Sequence, residues 1–476
     1  MKLTLFHNQF ALGFLKETES SESWKKIKLK PGFCIHVHPH LPFVIKFYND
    51  RILALFGDAL DPHHPTSDND SVAEDLIKNS CVINNLSYLS KLSGRWAIYF
   101  ADGVKEIIVG DATGNLPIYY CYLDEKLRCA SQPELLSEHV NIYEDNEAKD
   151  FQSKNIFPLE KRTWWPGDST LLSGVKRLLP NYYLDVRDKK TIRYWPQEPL
   201  KRPSYAEALN KASFLLQGNI ESLINRYRVG MALTSGLDSR VLFAASKRFL
   251  DKIHYMTFLL PEYGISDNSP DIYIPKLLAR KLAFKHSVFR PTFPVNSNDF
   301  DIDILIRGGA QEIGKCNYFS KQVFSLDPFW LCYISKLKPY PFTIRHFSRW
   351  INEAREICEE NNIDSLDLFY WEQRMGSWFA ESTLENDKKL HFKMILIFNC
   401  RDYLELMLAL PQRFRKPPDY KFHIDLIRNM FPEALVEPIN PHKNVMNYIK
   451  FKYFCSFPPY LIKSINQVRK TMNFHR

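Results

Sequence analysis

One short segment carries the clearest chemistry in the sequence. An apolar run at residues 229–233 is followed by residues 234–239, which read TSGLDS, and then by apolar residues at helical spacing. A turn between a strand and a helix presents backbone N–H groups at the helix N-terminus, where the dipole favours an anion. Gly236 allows close approach of a phosphate, and further donors come from the hydroxyls of Thr234, Ser235 and Ser239. The segment predicts a phosphate-binding loop.

The acidic residue in this turn needs its own explanation. Asp238 would repel a phosphate if it faced one directly. A bridging Mg²⁺ resolves this conflict, because carboxylate and phosphate oxygens are both ligands that Mg²⁺ takes. The GxxxxGK[ST] pattern is absent, and so is GxGxxG at this strand end. A Ser/Thr/Asp helix cap that follows a strand is the alternative interpretation.

The turn resembles a known phosphate loop. Residues 234–239 are similar to the SGGxDS pyrophosphate loop of N-type ATP pyrophosphatases of the asparagine synthetase type, with Thr for the first Ser and Ser for the first Gly. Residues 307–314, RGGAQEIG, resemble the second phosphate loop of that family, GxGxDE. Gln311 stands in place of the family's Asp, whereas Glu312 matches its Glu. The lost carboxylate leaves open whether one or two metal ions bind.

The first half of the chain resembles the N-terminal glutaminase domain of the same family. The matching segments are LSGRWAIYF at 92–100, GDATGNLPIYY at 110–120, ASQPELL at 130–136 and GVKRLLP at 174–180. Glutamine-using members carry a nucleophilic cysteine at the mature N-terminus, whereas this sequence begins with Met1 and Lys2. Neither residue replaces a thiolate. The resemblance therefore implies a glutaminase fold without glutaminase chemistry.

The resemblance also implies a site for ATP and Mg²⁺. It assigns the binding of ATP and pyrophosphate to Leu233, Thr234, Ser235, Gly236, Asp238, Ser239, Phe258 and Gly309. It places the metal on Asp238 and Glu312, and catalysis on Glu312 and Lys443, where the lysine neutralises charge on the phosphorus during adenylation. The expected activity is that of an ATP-dependent amide-forming ligase. Such an enzyme adenylates a small-molecule or peptide carboxylate, releases pyrophosphate, and passes the acyl group to an amine with loss of AMP.

Other functions stay open at this point. A lactam- or peptide-cyclising synthetase would apply the same chemistry to an amine of the same molecule. Sulfur transfer to RNA by a related loop would need a persulfide or a cysteine pair, and the sequence offers no evident pair. An inactive scaffold or binding protein is favoured by Ser235, Gln311 and the missing N-terminal cysteine.

The elements that must position these residues divide the chain into two regions. Residues 1–195 hold short runs rich in Val, Ile, Phe and Tyr between turn signals, which predict a mostly antiparallel sheet domain. The next part of the chain alternates helices and strands, as in a parallel sheet. The predicted helices are 205–228, 239–249 and 272–282, and the predicted strands are 229–233 and 253–260. From about residue 351 the pattern is mainly helical.

These observations predict an α/β protein of two domains. Domain 1–195 would be an α+β sandwich of the Ntn-hydrolase type by resemblance. Domain 196–476 would be a parallel-sheet ATP-pyrophosphatase domain with added C-terminal helices. The 45% hydrophobic and 25% charged composition of the 476 residues excludes whole-chain disorder.

Composition also bears on location and partners. No window holds the roughly 18 consecutive apolar residues of a spanning helix, so no membrane partner is expected. The nine cysteines are scattered without a CxxC, which favours a reducing cytoplasm. Residues 411–476 hold 12 Lys and Arg against 4 Asp and Glu. This surplus predicts an acidic partner or substrate rather than sequence-specific binding of nucleic acid, and a solvated basic surface is the alternative.

A His-rich segment offers a weaker signal for a metal. In His36-Val37-His38-Pro39-His40, the alternation would place His36 and His38 on one face of a strand. Two imidazoles on one face can bind a metal. Because no acidic or Cys ligand stands at supporting spacing, we interpret the segment as a His-rich strand and turn.

Overall fold

The computed structural model describes residues 6–18, 21–78, 86–139, 141–157, 163–290, 301–389, 392–441 and 445–474. The first region of this fold is built on antiparallel sheets, and the second on a parallel sheet with surrounding helices. The strands are β1 (Phe10–Gly13), β2 (Lys25–Lys30), β3 (Phe33–Val37), β4 (Phe43–Tyr48), β5 (Arg51–Leu60), β6 (Ser93–Ala101), β7 (Glu106–Gly110), β8 (Tyr119–Leu123), β9 (Lys126–Ala130), β10 (Lys176–Arg177), β11 (Tyr182–Asp185), β12 (Lys190–Arg193), β13 (Val229–Ala232), β14 (Ile253–Phe258), β15 (His286–Phe289), β16 (Ile304–Arg307) and β17 (Lys393–Leu396).

Helices dominate the second half of the chain. They are α1 (Asn69–Lys78), α2 (Pro133–His139), α3 (Asn146–Lys154), α4 (Tyr205–Ile224), α5 (Leu237–Ala245), α6 (Pro270–Leu282), α7 (Pro328–Ser335), α8 (Pro341–Asn361), α9 (Ser365–Phe369), α10 (Ala380–Lys389), α11 (Arg401–Ala409), α12 (Gln412–Arg415), α13 (Lys421–Met430), α14 (Val445–Ser456) and α15 (Pro459–Phe474). A π-helical stretch, Tyr370–Phe379, joins α9 to α10. Short 3₁₀ turns include Gln311–Lys315 and Phe319–Lys321.

Two six-stranded antiparallel sheets form the first region. Their strand orders are β10-β8-β9-β1-β3-β2 and β12-β11-β7-β6-β5-β4. Side chains of both sheets share one apolar cluster, in which the ring of Phe10 from β1 stacks on that of Phe56 from β5 at 4.3 Å. The two sheets therefore pack face to face as a sandwich. This arrangement confirms the predicted mixed α/β fold with an antiparallel first part.

The second sheet of the sandwich is buried on its outer face as well. Because side chains alternate along a strand, Ala54 and Phe56 face the sandwich core whereas Leu53 and Leu55 face the other way. Leu53 and Leu55 join a large cluster that also contains residues of the later helices, such as Leu215 of α4. The two regions of the chain thus share a continuous apolar core.

Buried polar contacts also join the regions. Glu372 of the π-helical stretch accepts hydrogen bonds from Arg193 Nη2 at 2.9 Å, from Asn181 Nδ2 at 2.8 Å and from Trp350 Nε1 at 2.8 Å. Asn399 Nδ2 donates to the Gly94 carbonyl at 2.6 Å. These bonds satisfy groups that would be costly to bury alone. The division of the chain at residue 195 stays a prediction.

The parallel sheet sets the position of the candidate loops. Its strand order is β15-β14-β13-β16-β17, and every pair is parallel. The chain adds β14 and β15 on one side of β13 and then crosses over to add β16 and β17 on the other side. The strand order therefore reverses between β13 and β16. In open α/β sheets, ligands bind outside the carboxyl ends of the strands at such a switch point.

The predicted elements near this point are confirmed within a few residues. Helix α5 begins two residues before the predicted start, because Gly236 already has the extended conformation of a residue that precedes a helix. Strands β15, β16 and β17 were not predicted. The four residues of β17 lie between long helical patterns. No helix in the described parts of the chain combines the length and apolar character needed to cross a membrane.

Candidate functional site

The first loop, residues 233–239, connects β13 to α5 at the switch point. The Leu233 N–H donates to the Met256 carbonyl at 2.9 Å, which continues the ladder between β13 and β14 by one residue. Gly236 precedes the helix, and no side chain among the described residues caps it. The first N–H groups of a helix have no partner inside that helix. The start of α5 therefore offers donors to an anion.

Hydrogen bonds within and around the first loop fix its shape. The Thr234 N–H donates to Ser239 Oγ at 3.1 Å, and the Gly236 N–H donates to Thr234 Oγ1 at 3.1 Å. Ser235 donates both its N–H and its hydroxyl to Asp271 Oδ1, at 3.0 and 2.6 Å. The amides of residues 234–236 are therefore engaged within the protein, and the donors left for a ligand lie at the start of α5.

Asp271 is a residue of the site that the sequence analysis missed. It lies in the first turn of α6, one strand away from the loop it contacts. A carboxylate near the start of a helix is ordinarily explained by the helix dipole, so no separate signal in the sequence indicates this contact. Its bonds to Ser235 explain why a hydroxyl residue fits at that position of the loop.

The second loop, residues 307–315, follows β16 and contacts the first loop directly. A Cβ atom placed on Gly308 would lie 2.8 Å from the Cβ of Asp238. One placed on Gly309 would lie 2.4 Å from Cζ of Phe379. Both distances are shorter than a carbon–carbon contact permits, so a larger residue at either position would force Asp238 or Phe379 to move. The structure thus brings together the two loops that the sequence analysis selected.

The backbone of the second loop is strained at two points. Ala310, which is fully buried, has a φ of 74°, and Cys316 has a φ of 50°. Residues other than glycine pay about 1–2 kcal/mol in this left-handed region. Such conformations persist where the surrounding structure fixes them, and they cluster at functional sites. Here they bracket the 3₁₀ turn Gln311–Lys315, which holds Glu312 and Lys315.

Three charged side chains meet between the loops. Lys315 Nζ donates to both carboxylate oxygens of Asp238, at 2.6 and 2.8 Å, and both side chains are mostly buried. Burial alone would lower the pKa of Lys315, but the Asp238 and Glu312 carboxylates outweigh it and raise that pKa. The ammonium group therefore stays charged at neutral pH.

Glu312 has the most unusual environment of the three. Burial, and then the negative charge of Asp238, raise the pKa of Glu312 to about 7. Its Oε2 atom is buried without a hydrogen-bond partner in the described structure. A buried carboxyl group whose pKa lies near neutrality is a candidate for proton transfer, and an unpartnered oxygen is a candidate metal ligand.

Asp238 and Glu312 are the residues that could hold one Mg²⁺. Asp238 and Glu312 supply the oxygen ligands that this ion takes, and a cation would satisfy the unpartnered Glu312 oxygen. Because Lys315 contacts both oxygens of Asp238, a metal on Asp238 requires the lysine to release at least one of them. Gln311 supplies no further carboxylate, and its Oε1 accepts a hydrogen bond from the Tyr403 hydroxyl at 2.7 Å.

The remaining predicted residues lie around these loops or outside the described chain. Phe258 is half-buried at the end of β14, on the same edge of the sheet as the first loop. Lys443 lies outside the described residues. Three residues before it, the Asn440 N–H donates to the Ser235 carbonyl at 2.9 Å.

Lys315 was not selected from the sequence. Its only signal is its spacing from Glu312, because residues three apart lie on the same side of a 3₁₀ turn. That spacing does not reveal Asp238, the partner from the other loop, which is 77 residues away in the sequence.

Comparisons with known proteins give little similarity. No protein-family model matches the chain, and no curated protein matches it. Among solved structures, the chain is similar to glutamine phosphoribosylpyrophosphate amidotransferase from B. subtilis, complexed with ADP and GMP. That match has 11% identity and a TM-score of 0.24, and it covers 64% of this chain and 70% of the other.

A second solved structure, described as the allosteric regulatory enzyme of purine biosynthesis, also has 11% identity and a TM-score of 0.24. It covers 49% of this chain and 56% of the other. Similarity at this level carries no argument about activity. The resemblance to the asparagine synthetase type stays a prediction that rests on the sequence motifs.

Proposed function

We propose that the chain is an ATP-dependent amide-forming ligase whose nucleotide site is the crevice between the first and second loops. One observation carries this proposal: both loops lie at the carboxyl ends of β13 and β16, where the strand order reverses. This is the place where open α/β sheets bind their ligands. The close contact between Gly308 and Asp238 makes the two loops a single site.

The donors and charges of the crevice suit a nucleoside triphosphate. The phosphates would accept hydrogen bonds from the first amides of α5 and contact the Ser239 hydroxyl, and the adenine would lie toward Phe258. Asp238 and Glu312 would hold Mg²⁺, which when bound neutralises phosphate charge. Lys315, released from Asp238, could reach a phosphate oxygen as a second cation.

The proposed reaction has two steps. A substrate carboxylate oxygen attacks the α-phosphorus, a new phosphorus–oxygen bond forms, and the bond to pyrophosphate breaks. An amine then attacks the acyl carbon, and AMP leaves with its oxygen. In the alternative in which Asp238 alone holds the metal, Glu312, whose pKa is raised to about 7, is suited to accept the proton that the attacking amine must lose. Lys315 would stabilise the negative charge that builds on the phosphoryl oxygens.

The C-terminal helices suggest the kind of substrate. Residues 445–474 contain five Lys and Arg and no Asp or Glu. Exposed apolar side chains on the same two helices are Met446, Ile449, Phe451, Tyr453, Tyr460, Val468 and Met472. These helices pack beside the second loop through Cys455 and Ile462, which contact Cys316 and Phe319. We propose that they hold an acidic peptide with apolar residues, whose carboxylate is then adenylated.

A scaffold function is the second candidate, and a specific observation favours it. Asp238 is already neutralised by Lys315, and the amide of Ser235 is already bonded to Asp271. A site whose charges and donors are paired internally can be stable without a nucleotide. The chain would then present the C-terminal helices to a partner without catalysis.

ATP–pyrophosphate exchange with a panel of carboxylates separates the two candidates. The panel includes amino acids and acidic peptides, and each is assayed with and without Mg²⁺. We expect Mg²⁺-dependent exchange with a peptide carboxylate, which would support the ligase. Binding of acidic peptides without nucleotide binding would support the scaffold and contradict the ligase.

A further inference from the structure

Three histidines from two separate segments lie together in the first region. They are His7, which precedes β1, and His38 and His40, which follow β3. One ring nitrogen of each residue lies within 4.8 Å of those of the other two. The sequence had suggested His36 and His38 as a pair, but the His36 ring lies 5.7 Å from that of His139 instead.

The strand register explains this grouping. In the antiparallel pair of β1 and β3, Phe10 lies opposite Val37. Continuing that register past the strand ends places Gln9 opposite His38 and His7 opposite His40. The His38 N–H does donate to the Gln9 carbonyl at 2.9 Å. The local alternation could not reveal His7, because the contact depends on a pairing between segments about thirty residues apart.

The ring geometry suits a shared metal ion. His7 Nε2 and His40 Nδ1 are 2.8 Å apart, and the three ring centroids are 4.9 to 5.2 Å from one another. Two imidazole nitrogens on one tetrahedral zinc lie about 3.3 Å apart, given zinc–nitrogen bonds of about 2.0–2.1 Å. Metal binding requires a shift of about half an ångström and the loss of this hydrogen bond, and the ring that donates it carries its proton on its other nitrogen instead. His40 is exposed and has room for that shift.

The cluster is buried on one side and open on the other. His38 is 3% exposed, and the Trp24 ring packs against it edge to face at 5.6 Å. The His40 N–H donates to His38 Nδ1 at 3.1 Å, so a metal bound to that nitrogen would replace this hydrogen bond. Neutral imidazole is the form that binds a metal. The exposed side of His40 leaves a fourth position for water, as in zinc sites with three histidines.

We propose that His7, His38 and His40 form a zinc site that ties the segment before β1 to the turn after β3. Imidazole ligands suit Zn²⁺ among the common divalent ions, whereas Mg²⁺ prefers oxygen. The site is independent of the nucleotide crevice, because it lies on the sandwich and shares no residue with the two loops. Zinc binding would stabilise the folded chain, since the three ligands are assembled only by folding.

Metal titration of the tag-free full chain tests the proposal. Chelator-treated protein is titrated with Zn²⁺, and with Co²⁺ for its visible absorption, and bound metal is counted by mass spectrometry. We expect one equivalent of tightly bound Zn²⁺, an intense tetrahedral Co²⁺ spectrum and a higher Tm with zinc. His38→Ala and His40→Ala should each weaken binding by about tenfold or more. His63→Ala, which replaces an exposed histidine of the same region, should leave binding unchanged.

The variants separate a lost ligand from a lost fold. His40 is exposed, so His40→Ala should keep the wild-type circular dichroism and metal-free Tm while losing the zinc-dependent rise. Less than a tenth of an equivalent of bound zinc in the wild-type chain would overturn the proposal. Binding that survives in both His38→Ala and His40→Ala would also overturn it.

Discussion

The first and second loops meet at one site, but they are built in different ways. The first loop is held by hydrogen bonds among Thr234, Gly236 and Ser239, and by the contact of Ser235 with Asp271. The second loop is held by close packing of two glycines and by left-handed residues at both ends of its 3₁₀ turn. The first loop thus fixes the placement of donors, and the second loop brings in Glu312 and Lys315. Substitutions in the two loops should therefore have different effects on activity and on stability.

The largest effect is expected at Asp238 of the first loop, whose charge pairs with that of Lys315 in the second loop. In Asp238→Asn, the shape of the side chain is kept but its negative charge is lost, so that both the metal ligand and the partner of Lys315 disappear. ATP–pyrophosphate exchange should fall by about 100-fold or more, while circular dichroism stays unchanged. Asp251→Asn, at an exposed position, is the matched control. Wild-type exchange rates in Asp238→Asn would contradict the role given to this carboxylate.

The second largest effect is expected when a side chain is added at Gly308 of the second loop. In Gly308→Ala, the new methyl group would meet the Asp238 Cβ at 2.8 Å and push the loops apart. Overpacking of this kind costs about 1–3 kcal/mol of the free energy of unfolding, and exchange should fall with it. Urea unfolding measures the first quantity.

The control for this change is Gly174→Ala. Gly174 has a φ of 71°, and its added Cβ meets nothing within 4 Å. It should cost about 1–2 kcal/mol, from backbone strain alone, and leave exchange intact. Equal losses of exchange in both variants would show that the loss in Gly308→Ala is not caused by the contact between the two loops.

The raised pKa of Glu312 in the second loop predicts that the free energy of unfolding depends on pH. The pKa of Glu312 is raised from its usual value of 4.5 to about 7, so between these pH values the folded chain holds a proton that the unfolded chain releases. The free energy of unfolding should therefore fall as the pH rises through this window. Glu312→Gln should lose that dependence and gain about 1–3 kcal/mol over the wild type at pH 8 to 9. A wild-type stability that rises with pH relative to Glu312→Gln would be the opposite result.

The smallest effect is expected in the first loop at Ser235. Ser235→Gly restores the glycine of the resembled pattern and removes one hydroxyl bond to Asp271, while the backbone N–H bond remains. A hydrogen bond to a charged carboxylate contributes about 1.5–3 kcal/mol to stability, and exchange should change by no more than a few fold. A loss as large as that of Asp238→Asn would show that the first loop also depends on side-chain contacts outside it.

The same contrast explains which parts of the site could be predicted from the sequence. The strand, turn and helix around the first loop are local, so they could be predicted from one continuous stretch, residues 229–249, as could the strand–helix order that places them. The bonds of Ser235 to Asp271 are not local. The second loop depends on partners far along the chain: Asp238 for Lys315, Phe379 for Gly309 and Tyr403 for Gln311. Periodicity and spacing carry no information about such pairs. For this reason Lys315 and Asp271 were missed, although Glu312 and Gly309 were selected.

The proposed function requires ATP to bind in the crevice between the two loops. Photoaffinity labelling of the full chain with 8-azido-ATP, followed by mapping of the labelled peptides, tests it most directly. We expect labelling of peptides that contain Phe258, the first loop or the second loop, and we expect unmodified ATP to prevent it. Labelling confined to other peptides, or none that ATP can displace, would contradict it.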